Sequence, residues 1–326
     1  MNSPILIGVG AGLVSAVLFA STMTGSILAV VLFYVTALPG FLAGLAWGTN
    51  AAFVAALTGT ALTGVLLSPL AGLGYFLTLG LPIGILCYLA LLARPAGEDV
   101  PTEEQGPSAM EWYPPGRIVA WTAVMAGGVA ALTVPMFGTD IESYRGNLQE
   151  IFEKTFFRQM PAGLPEGFSK DDMKPVMELL IRALPAATAI VWFSVMLLNM
   201  WTAGRIAMVS GRAIRPWPEF TTMTYPSSLA LGFVASLLGT FAPGILSVMA
   251  TGFAGAFLIA YVVLGLVVVH VMASRTAFKF MLLGAVYLGM FMFGWVALVI
   301  AFIGIGDPVL KFRERALGSG PPPSND

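Results

Sequence analysis

Asn199, Trp201, Arg205, Arg212, Arg215 and Trp217 lie close together in Leu197–Pro226, LLNMWTAGRIAMVSGRAIRPWPEFTTMTYP. Arginine presents a planar fork of donors that fits carboxylate and phosphate. The rigid Pro216-Trp217-Pro218 turn would hold such forks still. Two readings follow. The arginines meet an anionic solute, a lipid phosphate or an acidic partner, or they fix topology while Trp217 anchors the chain at the membrane interface. Asn199 sits in an apolar run, where an amide serves as an interhelical hydrogen bond or a ligand contact. His270 ends the apolar run Leu264–Val271, and histidine is the residue type suited to proton transfer near neutral pH. A proton relay there would need carboxylates in other apolar runs. Apart from Asp307, the acids fall in loops, surface helices or the tail.

The same inventory excludes several classes. One histidine and one cysteine, Cys87, cannot build a His/Cys metal cluster or an intrachain disulfide. No GxSxG, HExxH or Walker A pattern occurs. The expectation is a non-enzymatic protein with no catalytic group, metal or cofactor. Any energy would come from a separate partner. A net charge of −1 offers no basic footprint for nucleic acid.

The elements that must position these residues are membrane helices. Charged residues make up 10% of 326 residues and apolar ones 57%, with a mean hydropathy of +0.86. A soluble domain carries about 25% charged residues. Lipid as solvent explains the deficit. MNSPILIGVG has no basic residue before its apolar run, so it reads as a first span rather than a signal peptide. The fold expected is all-α: a polytopic bundle of about nine membrane segments, eight or nine of them spans, plus two amphipathic interfacial helices. The segments are Pro4–Ala20, Gly25–Trp47, Ala51–Leu67, Leu70–Leu92, Ile118–Phe137, Ala183–Ala203, Ser227–Phe241, Ile245–Met272 and Phe278–Ile305. Pro39 and Gly80-Leu81-Pro82 should disturb the second and fourth. Gly40, Gly44 and Gly48, and Gly80 with Gly84, mark faces for close helix packing.

Four domains of behaviour are expected. Residues 1–93 form a four-helix part. Residues 94–116, with Glu98, Asp99, Glu103, Glu104 and Glu111, form a flexible linker. Residues 117–315 form the second membrane part, and 316–326 a disordered tail. Within 138–182, Thr139-x-x-Glu142 reads as a capping box ahead of Ile141, Leu148, Phe152 and Phe156. Ser169-x-x-Asp172 reads as the cap of a second surface helix with Met173, Val176, Met177 and Leu180 on one side. The basic loops Arg205–Arg215 and Arg275–Lys279 should be cytoplasmic, which puts 138–182 outside and the N-terminus inside. One conflict remains. A ninth span would carry Lys311, Arg313 and Arg315 outward, so Phe278–Ile305 is a re-entrant or broken element, or the tail is an exception.

Asn199-x-Trp201-x-x-x-Arg205, Arg215-Pro-x-Pro218, Gly265-Leu-Val-Val-Val-His270, Gly304-Ile-Gly-Asp307 and Lys311-Phe-Arg313 together resemble the YybS-like bacterial membrane proteins, a domain of unknown function. The resemblance covers most of residues 1–315, and its distinctive spacing lies in the last part. That family is distantly similar to the S components of energy-coupling-factor vitamin transporters. The resemblance implies a helical bundle in a bacterial inner membrane, with a solute pocket near the outer face and small-residue faces that dock an energising module. The expected function is a small-solute binding or transport subunit. The alternative is a scaffold that holds a cytoplasmic partner or anionic lipid through residues 204–226.

Overall fold

A computed structural model describes residues 3–95, 110–158 and 170–318. The expected flexibility of the linker's central residues and the expected disorder of the tail from 319 fall outside them. The chain divides into two compact units. Unit 1 holds residues 1–122 with 194–223, and unit 2 holds 123–193 with 224–326. The sequence gives no sign that residues 194–223 return to the first unit.

Unit 1 opens with α1 (Pro4–Ala20), a 3-10 turn (Ser21–Thr24), α2 (Ile27–Tyr34), α3 (Leu38–Trp47) and α4 (Thr49–Leu66). Next come α5 (Pro69–Tyr75), a π-helical turn (Phe76–Gly80) and α6 (Leu81–Leu91). Glycines set the registers. A Cβ at Gly8 or Gly12 would strike the carbonyl oxygens of Ala51 or Ala55, so α1 and α4 run parallel at backbone contact. Gly40 faces Ile83 and Gly44 faces Cys87, which makes α3 and α6 parallel. Gly80 lies on Ala56 and Gly84 on Phe53, which makes α4 and α6 antiparallel. Gly48 departs from the expected packing role. Nothing lies within 4 Å of its missing Cβ, and its φ of 100° is the reason for glycine between α3 and α4.

The linker's ends are ordered as a two-stranded antiparallel ribbon, β1 (Ala93–Pro95) and β2 (Met110–Trp112). The exposed pair Arg94–Glu111 bridges it at 2.7 Å.

Two long helices belong to both units: α7 (Pro115–Phe137) and α9 (Lys170–Val209). The second corrects an expectation. No separate surface helix precedes the sixth span, because Lys170 to Val209 is one helix of 40 residues. At about 1.5 Å per residue it is about 60 Å long, twice a hydrocarbon core. Its charged first turns, through Glu178 and Arg182, extend beyond the apolar stretch as helix. Charge marks where a helix leaves lipid, not where it ends. The expected cap at Ser169 lies outside the described residues.

Unit 2 also holds α8 (Ile141–Arg158), α10 (Ser227–Gly239), α11 (Ile245–Ser274), α12 (Lys279–Met292), α13 (Trp295–Leu310) and α14 (Phe312–Gly318). The α8 spacing behaves as read. Tyr144 and Leu148 are buried with Val134, Met177, Ile181 and Val248, and Ile141 and Phe152 flank them. The Phe156 side chain lies outside the described residues. The cap is Asp140 rather than Thr139. Its Oδ1 accepts from the backbone N–H of Glu142 and Ser143, at 3.0 and 2.9 Å.

Among the described residues, seven helices are long and apolar enough to cross a membrane, fewer than the nine segments expected. The protein is a multi-pass, all-α membrane bundle. The remaining apolar helices are shorter: α10, α12 and α13. Residues 278–305 are broken, as the length argument allowed. The helix stops before Phe293, and α13 turns back along α11. Gly265 abuts the Ile300 carbonyl and Gly304 the Tyr261 carbonyl, so α11 and α13 are antiparallel at backbone contact.

Candidate functional site

Pro39 breaks the second apolar segment. It has no N–H to offer Val35 O, and its ring crowds that carbonyl. The helix stops at Tyr34 and restarts at Leu38, leaving 35–37 irregular. Buried side chains take up the exposed carbonyls. Asn199 Nδ2 donates to Tyr34 O at 2.7 Å and to Val195 O at 2.7 Å. Ser15 Oγ donates to Thr36 O at 2.7 Å, and Tyr75 donates its hydroxyl to Ser15 Oγ at 2.6 Å. Ser15, Thr36, Tyr75 and Asn199 are each at most 4% exposed.

A second irregularity lies close by. Pro82 cannot donate to Thr78 O, and the preceding turn widens, with Leu81 N–H donating to Phe76 O. The Tyr75 hydroxyl lies where a Cβ at Gly59 would be. Thr63 is one turn further along the same face of α4. Its hydroxyl is buried with no hydrogen-bond partner among the described residues. Two broken helices and five buried polar residues therefore meet inside unit 1. Sequence reasoning found Asn199 and both breaks. It missed Ser15, Thr36, Thr63 and Tyr75, whose hydroxyls look ordinary until the fold brings them together.

Arg205 lies in the last turns of α9, not in a loop, and Arg212 and Arg215 lie in the loop that follows; all three sit elsewhere in unit 1, around the C-terminal turn of α3. The α9 helix ends in a glycine cap, with Gly211 at φ 66° and Arg212 N–H returning to Ala207 O at 2.9 Å. The loop then touches Leu45, whose carbonyl accepts from Ile214 N–H. Each arginine lies over a different indole. Arg205 is 4.9 Å from the Trp217 ring centre, Arg212 5.2 Å from Trp47, and Arg215 5.9 Å from Trp112. Arg215 also donates to Ala90 O at 3.1 Å. Burial pushes its pKa below the ordinary arginine value. Among the described residues, none of the three meets a carboxylate. Trp201 packs edge-on against Trp217, 6.3 Å between centres.

His270 lies in unit 2, exposed, with Nδ1 2.8 Å from Leu266 O and Nε2 3.4 Å from the Tyr287 hydroxyl. The natural pattern is Nδ1–H donating to the carbonyl and Nε2 accepting from tyrosine. No carboxylate of the described residues joins them.

Unit 2 also holds a buried ion pair that the sequence does not mark as a pair. Lys311 adopts φ 54° and turns the chain back after α13. Arg313 then meets Asp307, Nε to Oδ2 at 2.7 Å and Nη2 to Oδ2 at 2.6 Å. Asp307 is 4% exposed and Arg313 8%. Among the described residues, no group of three metal-ligating side chains occurs.

Comparison with known proteins gives one match. The family model described as a predicted membrane protein, DUF2232, covers residues 13–308. No curated protein and no solved structure matches the chain. With almost its whole membrane region inside that match, the chain belongs to the DUF2232 family of membrane proteins.

Proposed function

We propose that this protein is a non-enzymatic subunit that binds or carries a small polar solute in a bacterial inner membrane, with energy supplied by a separate partner. The supporting observation is the break at 35–37, where Ser15 holds Thr36 O and Asn199 holds the carbonyl of Tyr34, the last residue of α2. Non-helical backbone persists at membrane depth only where protein or water satisfies it. Carriers place solute sites at such breaks, where unwound carbonyls and helix ends face the ligand. A solute with N–H or O–H donors takes the same two acceptors when Asn199 and Ser15 rotate away. The unpartnered Thr63 hydroxyl adds a further polar group nearby. The glycine faces of α1 and α3 are engaged within unit 1, so an energising partner would use another surface. On this reading the N-terminus and the 204–226 loop are cytoplasmic.

The test is thermal-shift screening of detergent-purified protein against vitamins, nucleobases and metabolites, beside Asn199→Ala. A ligand that stabilises the wild type and loses at least part of its effect in the variant supports the reading. Silence across a broad panel overturns it.

A second reading, a scaffold that holds a cytoplasmic protein or anionic lipid through residues 204–226, is favoured by the three guanidinium–indole stacks. On this reading Arg212→Ala with Arg215→Ala abolishes co-purification of the partner. An unchanged pull-down profile removes it.

A further inference from the structure

We infer that Arg205, Arg212 and Arg215 grip the phosphate of an anionic phospholipid headgroup, with Trp47, Trp112 and Trp217 as the platforms that hold the guanidinium groups in place. This deepens the second reading and is independent of the solute site. Four observations carry it.

First, the three cations gather around one helix end. Gly40 over Ile83 and Gly44 over Cys87 set Trp47 of α3 level with Ala90 of α6. Arg212 stacks on Trp47, and Arg215 donates to Ala90 O. Leu45, two residues before Trp47, lies beside Gly204 together with the Trp217 ring that Arg205 covers. Second, no acid among the described residues neutralises them. Third, a guanidinium held over an indole ring keeps N–H groups for an acceptor. Arg215 already commits Nη1 to Ala90 O. Arg205 and Arg212 are exposed, with no acceptor among the described residues.

The fourth observation selects lipid over a water-borne acidic protein. Apolar side chains interleave with the arginines and point away from the protein. Ile206 and Ile214 are exposed, and Val209 is 85% exposed. Trp201, one turn before Arg205, is also exposed. Cations beside exposed aliphatic and indole groups match the headgroup level of a bilayer. There the phosphate meets the arginines, and acyl chains cover the apolar groups.

Topology alone would also place positive charge here, so the test keeps the charge and changes its shape. Wild type and Arg205→Lys/Arg212→Lys/Arg215→Lys are reconstituted in vesicles of equal phosphatidylcholine and phosphatidylglycerol. They are then extracted, and retained lipid is read by native mass spectrometry. Lysine preserves the charge but loses the planar fork and the stack. The wild type should retain phosphatidylglycerol over phosphatidylcholine by about tenfold, and the variant should fall to about parity. Equal selectivity in both proteins overturns the inference. So does displacement of the lipid by millimolar inorganic phosphate, which would mark a free-anion site. Loss of a co-purifying protein with lipid selectivity unchanged also overturns it, in favour of a protein partner. If the triple variant does not fold, Arg212→Lys alone should lower selectivity several-fold, and no change overturns the inference equally. None of these results bears on ligand binding at residues 35–37.

Discussion

Asp307 and Arg313 form a buried ion pair across the left-handed turn at Lys311, with Arg313 Nε 2.7 Å from Asp307 Oδ2. The backbone N–H of Arg313 also donates to Asp307 Oδ1 at 3.2 Å, so the carboxylate fixes both the side chain and the path of α14. The antiparallel register of α11 and α13 places Asp307 opposite Leu258. That is about 25 Å along α11 from Arg275. The pair is therefore a clasp well away from the basic end of α11.

Removing one partner leaves a buried charge without its counter-ion, which costs about 3–5 kcal/mol. Arg313→Ala should lower the thermal midpoint sharply. The double variant Asp307→Leu/Arg313→Leu should recover much of that loss. A double variant no more stable than either single one would show that the pair does not act as a unit.

Asn199→Ala leaves Tyr34 O unsatisfied inside the bundle. The expected cost is about 1–3 kcal/mol, at the lower end if water enters. Asn199→Gln should restore part of it. Unfolding monitored by tryptophan fluorescence in detergent distinguishes the two variants.

Gly12 and Gly10 differ by half a turn of α1 and should differ in tolerance. A Cβ at Gly12 falls 2.5 Å from Ala55 O, whereas nothing lies within 4 Å at Gly10. Gly12→Val should destabilise by about 1–3 kcal/mol through forced separation of α1 and α4. Gly10→Val should be close to neutral in the same thermal assay.

Asp140 gives α8 a pH dependence. The Ser143 backbone N–H, then the Ser143 side chain, hold its carboxyl below the ordinary aspartate value. A lowered folded-state pKa means the cap is fully present above the ordinary carboxylate range. It is lost as pH falls through the depressed value. Protection of the first-turn amides of α8, corrected for the intrinsic pH dependence of exchange, should fall on acidification to that point. Asp140→Asn should keep the protection and remove the dependence.

Much of the bundle was legible because lipid as solvent separates apolar from charged runs so cleanly. Proline positions correctly located the breaks near 35–37 and 76–80. Other features depend on which neighbour a residue meets. The lone hydroxyls of Ser15 and Tyr75 carry no pattern. The Asp307–Arg313 pair requires a left-handed turn at a lysine. Arg182 marks a change of solvent and not an end of helix, and the sequence pattern does not separate the two. Gly48 fitted a four-residue spacing by coincidence with its conformational role.

The central claim is that the irregular segment 35–37 is where solute meets the protein. Cys87 and Thr36 are both fully buried, so labelling of Thr36→Cys above the Cys87 background reports opening of the break and not surface exposure. The decisive measurement is the rate of maleimide labelling of Thr36→Cys in native membranes, with and without the stabilising ligand. The account predicts slow labelling that exceeds the Cys87 background and is suppressed by that ligand. A thiol at 36 that labels no faster than Cys87, or whose labelling the ligand leaves unchanged, would contradict it.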